Sequence, residues 1–168
     1  MNRLPVMLLV LLTAGRAVQA QPVQMQSYEI EWARYYAREY GVPSELVIAI
    51  IEVESRWQPY AVSEKGAAGL MQLLPATAWR FGVTNRFIVP ENVRGGVAFL
   101  AYLMRRFGAD LRLVAAAYYA GEKRIQAVGL DCADPATYRY VVAVQQAYRR
   151  ALVSALNPAS LTRGGTNP

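Results

Sequence analysis

Apolar residues recur along this chain at three- and four-residue spacings, the pattern of helices that each bury one face, and no run alternates at a period of two for long enough to form a sheet. Glycine and proline punctuate that pattern. Ser27 reads as the N-cap of a first helix with Glu29 and Glu31 in its first turn and Gly41 as its stop. Pro43 suits the first turn of a second helix, which carries Leu46, Val47, Ile50 and Ile51 and cannot pass Pro59. Residues 56–74, rich in Gly, Ser and Ala, read as loop with a short hairpin. Pro75 opens a brief helix toward Phe81, and Pro90 a long one ending at Phe107 and Gly108. Asp110 caps a helix through Ala120 that Gly121 terminates, a short turn from Glu122 ends near Gly129, and Pro135 begins a last helix to about Leu156. The expected fold is all-α, one domain over residues 21–156, followed by a frayed tail over residues 157–168.

The first twenty residues stand apart as a signal peptide: Arg3 precedes an apolar stretch from Leu4 to Ala14, and Val18-Gln19-Ala20 offers small residues for cleavage. That stretch falls well short of the roughly 20 residues needed to span a bilayer, and nothing later is long and apolar enough. The expectation is an exported protein of the periplasm or cell envelope, with no transmembrane segment once the leader is removed.

Composition narrows the chemistry. With no histidine, the chain has no Ser-His-Asp or Cys-His pair and no imidazole metal ligand. The single cysteine, Cys132, can make neither an internal disulfide nor a thiolate zinc site, and burial as a small hydrophobe is its expected fate. Acid–base work at neutral pH falls to carboxylates, and glycoside cleavage heads the short list of carboxylate-only reactions. The net charge of +6 favours anionic polymers, but it is spread along the chain without a dense run, which argues against nucleic acid.

One carboxylate stands out on a helical wheel of the second helix. With Leu46 at zero and ~100° per residue, Ile50, Val47 and Ile51 fall at about 40°, 100° and 140°, and Glu54 at about 80°, inside that apolar stripe. Glu52 and Glu45 fall on the opposite side, at about 240° and 260°. Partial desolvation and the negative end of the helix dipole both disfavour ionised Glu54, which is what a proton donor at neutral pH requires. A helix-end glutamate that reaches water or pairs with Arg56 would show the same spacing.

The residues after Glu54 sharpen the choice. Glu54-Ser55, Ala61-Val62-Ser63, Gly66-Ala67-Ala68-Gly69-Leu70-Met71-Gln72, Pro75 and Thr77-Ala78 occur in an order and at separations that resemble the soluble lytic transglycosylases, bacterial cell-wall glycan lyases with a goose-type-lysozyme-like fold. Weaker matches at Asn92, Gly96, Leu100, Leu103, Ala117-Tyr118-Tyr119-Ala120-Gly121 and Pro135 to Val141 extend the resemblance over roughly residues 30 to 150. It implies that protonated Glu54 donates to the oxygen joining N-acetylmuramic acid to N-acetylglucosamine. Glu54 then takes the proton of the muramoyl 6-hydroxyl as a 1,6-anhydro ring closes. It also implies substrate contacts from Ser63, Gln72, Tyr118, Met71, Tyr119 and Tyr138, no metal or organic cofactor, and peptidoglycan strands as the partner. Relatives of this kind serve secretion or conjugation machines, or recycle wall.

Gly66 and Gly69 suit a groove-lining loop where backbone must come close to a ligand. Met71 and Leu74 offer an apolar wall beside the acid, while Leu70 reads as core. Two departures touch the groove: Tyr119 stands where the family usually has asparagine, and Ala136 where many relatives carry glutamate. The alternatives are a lysozyme-like hydrolase of the same bond and a non-catalytic wall-binding component of a secretion or conjugation apparatus.

Overall fold

Among the described residues the apolar periodicity resolves into seven helices: α1 (Gln21–Tyr40), α2 (Ser44–Ser55), α3 (Pro75–Arg80), α4 (Val89–Arg106), α5 (Leu111–Ala120), α6 (Glu122–Val128) and α7 (Pro135–Leu156). The structure, a computed structural model, describes residues 21–130 and 134–156, with side chains from Gln26 onward. The expected leader, Asp131 and Cys132, and the tail from residue 157 lie outside the described residues.

The helices from α2 to α7 start within about a residue of where their prolines and glycines predict, and α3 to α6 stop there too, while α2 ends at Ser55, short of Pro59, with Pro43 as its N-cap. The first departs further. The chain is already helical at Gln21, the first described residue, so Ser27, Glu29 and Glu31 sit inside α1 and not at its start. The expected hairpin within residues 56–74 is reduced to two isolated antiparallel bridges, Val62 to Ala68 and Ala68 to Leu73, and no strand forms among the described residues.

The core runs along α2. Leu46, Val47, Ala49, Ile50 and Ile51 are all buried, because α2 packs against α7 on one side and α1 on the other. Val93, Val97, Leu100 and Leu103 of α4 and Val114 to Ala117 of α5 complete it. α4 meets the 56–74 loop at bare backbone: a Cβ at Gly96 would lie 2.3 Å from the Met71 sulfur. Any side chain there pushes helix and loop apart.

Candidate active site

Glu54 occupies the last turn of α2. Arg56 and Trp57 come next at φ 50° and 64°, left-handed conformations that non-glycine residues rarely adopt, and they turn the chain sharply off the helix axis. The carboxyl therefore ends at a mouth and does not run on into a longer helix. It is largely buried, and that loss of water pushes its pKa from 4.5 up to about 7. The Tyr140 hydroxyl donates a 2.6 Å hydrogen bond to Oε1 and works the other way, favouring the carboxylate. Desolvation wins. Glu52, two residues earlier, is paired at 2.7 Å with Arg150 of α7 on the opposite face. The neighbouring acids thus have the separate fates that the wheel predicts, and the hydrogen-bond partner of Glu54 is a phenol, not Arg56.

Tyr140 comes from a buried stripe on α7, with Thr137, Val141, Val144 and Ala147 at helical spacing. The ring of Tyr119, at the end of α5, stacks on it with centroids 4.6 Å apart and planes 21° apart. Tyr118, beside it, donates a 2.8 Å bond to the Met71 carbonyl, and its ring lies 5.1 Å from that of Phe99. Burial and the nearby Glu54 push both Tyr118 and Tyr140 hydroxyls well above their usual pKa, so both remain neutral donors.

The loop that closes the site has little core of its own and is pinned by two side chains from outside it. Asn92 accepts from the Met71 N–H at 2.8 Å and donates to the Ala68 and Arg86 carbonyls at 3.0 and 2.8 Å. Arg86 donates to the Gly66 and Leu73 carbonyls. Gly69 is required here: its φ is +80°, and a Cβ would lie 2.2 Å from the Arg86 carbonyl oxygen. The close approach expected of this glycine is therefore to another stretch of backbone.

Glu54 opens into a cleft of about 380 Å³ whose lining includes Ser63, Gln72, Leu74, Tyr118 and Tyr119. Ser63 Oγ accepts from the Ala67 N–H at 3.1 Å. Gln72, at φ 45°, donates its side-chain N–H groups to the Ala61 and Gly69 carbonyls, so it holds the turn as well as facing the cleft. Two expected contacts lie elsewhere. Met71 is fully buried against Gly96 and reaches the site only through its carbonyl, because the turn at Gly69 and Gln72 aims its side chain into the core. Tyr138 is 62% exposed on α7, two positions off the buried stripe, and is absent from the cleft lining.

Tyr140 is the residue that sequence reading missed. Its place among the buried positions of the last helix is visible in the sequence, but nothing in the spacing ties it to a glutamate 86 positions earlier. Other acids that could have reached the cleft are engaged away from it. Glu91 accepts from Thr84 and Asn85, Asp110 caps α5 through Arg112, and Asp134 holds Ala136 and Thr137. Glu64 does line the cleft, as an exposed loop residue. No cluster of potential metal ligands occurs among the described residues.

Comparison with known proteins gives a consistent picture. The family described as "Transglycosylase SLT domain" matches residues 31–138. A transglycosylase of Enterobacteria phage PRD1 is 40% identical over 83 residues, 49% of this chain and 31% of the relative. The membrane-bound lytic murein transglycosylase F of Desulfosudis oleivorans is 44% identical over 71 residues, 42% of this chain and 16% of the relative. The chain thus spans less than a third of either relative. Among solved structures, an inactive mutant of the lytic transglycosylase Slt from Pseudomonas aeruginosa superposes with a TM-score of 0.67 at 25% identity, covering 74% of this chain and 24% of that one.

Proposed function

The chain belongs to the transglycosylase SLT domain family, and from that premise we propose that it is a peptidoglycan lytic transglycosylase working through one carboxyl, Glu54. The observation that carries this reading is the burial of Glu54 at the edge of a sugar-sized cleft, which holds its pKa at about 7. A group with that pKa is substantially protonated at neutral pH and ionises readily once its proton is used.

In this reading a glycan strand lies in the cleft with the oxygen between N-acetylmuramic acid and N-acetylglucosamine near Glu54. Glu54 gives its proton to that oxygen as the bond to the anomeric carbon breaks. The substrate's own acetamide supports the positive charge that develops there, the substrate-assisted variant of glycoside cleavage. The carboxylate now left on Glu54 is stabilised by the Tyr140 hydroxyl, and it removes the proton of the muramoyl 6-hydroxyl as that oxygen closes on the anomeric carbon. The products are a free 4-hydroxyl and a 1,6-anhydro end, with Glu54 protonated again. Ser63, Gln72, Tyr118 and Tyr119 offer neutral hydrogen-bonding groups to hydroxyls and acetamides along the cleft.

A two-carboxylate hydrolase is the second reading, because Glu64 lines the same cleft. Glu64 is exposed, in contrast to Glu54, a setting that suits the ionised partner of such a pair, so the products of cleavage decide between the two readings. The site is proposed to act outside the cytoplasm, with residues 1–20 as its leader and the cell-wall glycan as its partner. An assembly such as a secretion or conjugation machine, which needs a gap in that polymer, is the process it would serve.

The test is digestion of purified peptidoglycan, with fragments identified by mass spectrometry. Wild type is expected to release anhydro-ended fragments that resist borohydride, whereas reducible ends identify the hydrolase. Glu54→Gln is expected to lower turnover by about 10²–10⁴-fold with the fold intact, and Glu52→Gln to keep most of it. Equal activity in Glu54→Gln and wild type ends the assignment.

A further inference from the structure

Tyr119 stands where the family that this sequence resembles usually has asparagine. One face of its ring lies nearly parallel on Tyr140 at 4.6 Å, and the residue lines the cleft and is 45% exposed. Tyr140 beneath it is only 8% exposed and carries the hydroxyl bonded to Glu54. We propose that Tyr119 is a positioning residue whose ring roofs the Glu54–Tyr140 hydrogen bond and keeps cleft water off the carboxyl, an inference that rests on Glu54 being the proton donor.

Removing the ring leaves one face of Tyr140 open to the cleft, since a side chain as short as alanine or asparagine cannot span a 4.6 Å stack. The groups that face Glu54 come from three elements. Tyr140 belongs to α7, Tyr118 and Tyr119 to α5, and Glu64 and Lys65 to the loop that lines the same cleft. On its own helix, Glu52 is turned away to Arg150. The two buried phenols stay neutral, held well above their usual pKa by burial and by Glu54 itself. Glu54 is therefore governed by two opposed influences, dryness and the phenol's hydrogen bond.

These influences are separable by sign. Tyr140→Phe deletes the hydrogen bond without opening the site, so the acid becomes weaker and its pKa rises. Tyr119→Ala admits water, which solvates the carboxylate and supplies replacement donors, so the pKa falls. Tyr119→Phe keeps the ring and changes neither.

The experiment is an NMR titration of the Glu54 carboxyl carbon in wild type and these three variants, alongside the pH dependence of kcat and KM on peptidoglycan. Expected is a drop of about one pH unit or more in Tyr119→Ala, no shift in Tyr119→Phe and a rise in Tyr140→Phe, with the high-pH limb of kcat moving in step. If Tyr119→Ala folds poorly, Tyr119→Asn, with the family's usual residue, carries the same expectation. An unmoved Glu54 titration with only KM raised makes Tyr119 a sugar-contacting surface and overturns the inference, as does an upward shift. The titration reads Glu54 without turnover. A wild type that cleaves no glycan therefore defeats the functional reading while leaving this inference answerable.

Discussion

Asn92 shows how much a single amide can hold. One side chain serves a buried N–H and two carbonyls, from the 56–74 loop and from Arg86, and it is itself fully buried in the first turns of α4. Asn92→Ala leaves three backbone groups without their partner, at a cost of about 2–4 kcal/mol. Asn92→Asp keeps the acceptor for Met71 but turns a carboxylate oxygen toward two carbonyls, so it is expected to fare no better. Chemical denaturation measures both: midpoints close to wild type would show that the loop is held by something else. Tyr140 is the complementary case, a residue whose fold role and site role coincide. Its ring fills the α7 stripe while its hydroxyl bonds the acid, so Tyr140→Phe isolates the second role from the first.

At the level of elements, α2 works because it is enclosed on two sides. Leu46, Val47, Ile50 and Ile51 form the stripe expected from the wheel, but Ala49, in a sector that the wheel assigns to solvent, is buried as well, on a helix that both α1 and α7 pack against. Ile50→Ala is expected to cost about 2–5 kcal/mol, read from thermal or urea unfolding, with no new contact available to refill the space. A loss below about 1 kcal/mol would mean that α1 and α7 close onto the gap. Six of the seven helices are legible in the sequence because proline and glycine act locally, through φ and the missing N–H. The course of α1 before Ser27 is not, because Ser27 satisfies the local rule for a cap while being tolerated within a helix. The loop is legible only as a loop: its shape is imposed by Asn92 and Arg86, some twenty positions away, and no local rule reports that. Glu54 can be picked from its own helix, whereas its phenol, its roof and the core-facing direction of Met71 depend on tertiary packing.

On the scale of the whole molecule, the proton on Glu54 tilts folding stability with pH. Below pH 4.5 the group is protonated in both the folded and unfolded chain and contributes no difference. Between pH 4.5 and about 7 the unfolded chain releases this proton while the folded chain keeps it, so stability falls as pH rises, by about 3 kcal/mol, and is flat above. Glu91, Asp110 and Asp134 act in the opposite direction. Their hydrogen bonds hold them below the usual carboxylate range, so their contribution is present at neutral pH and is lost on acidification. The protein is expected to be most stable in mild acid. Glu54→Gln should melt at the same temperature as wild type near pH 4 and at a higher one at about pH 8. Parallel melting curves across that range would contradict a buried, proton-holding Glu54.

The bond between positions 54 and 140 joins the second helix to the last one. Cutting the chain at residue 130 leaves the run of residues that follows the glutamate intact but removes both its phenol and one of the two helices that enclose α2. The setting of the carboxyl is complete only with the final helix in place. A fragment ending at residue 130 is therefore expected to hold its acid at an ordinary pKa, and the two ends of the fold must meet before the site is whole.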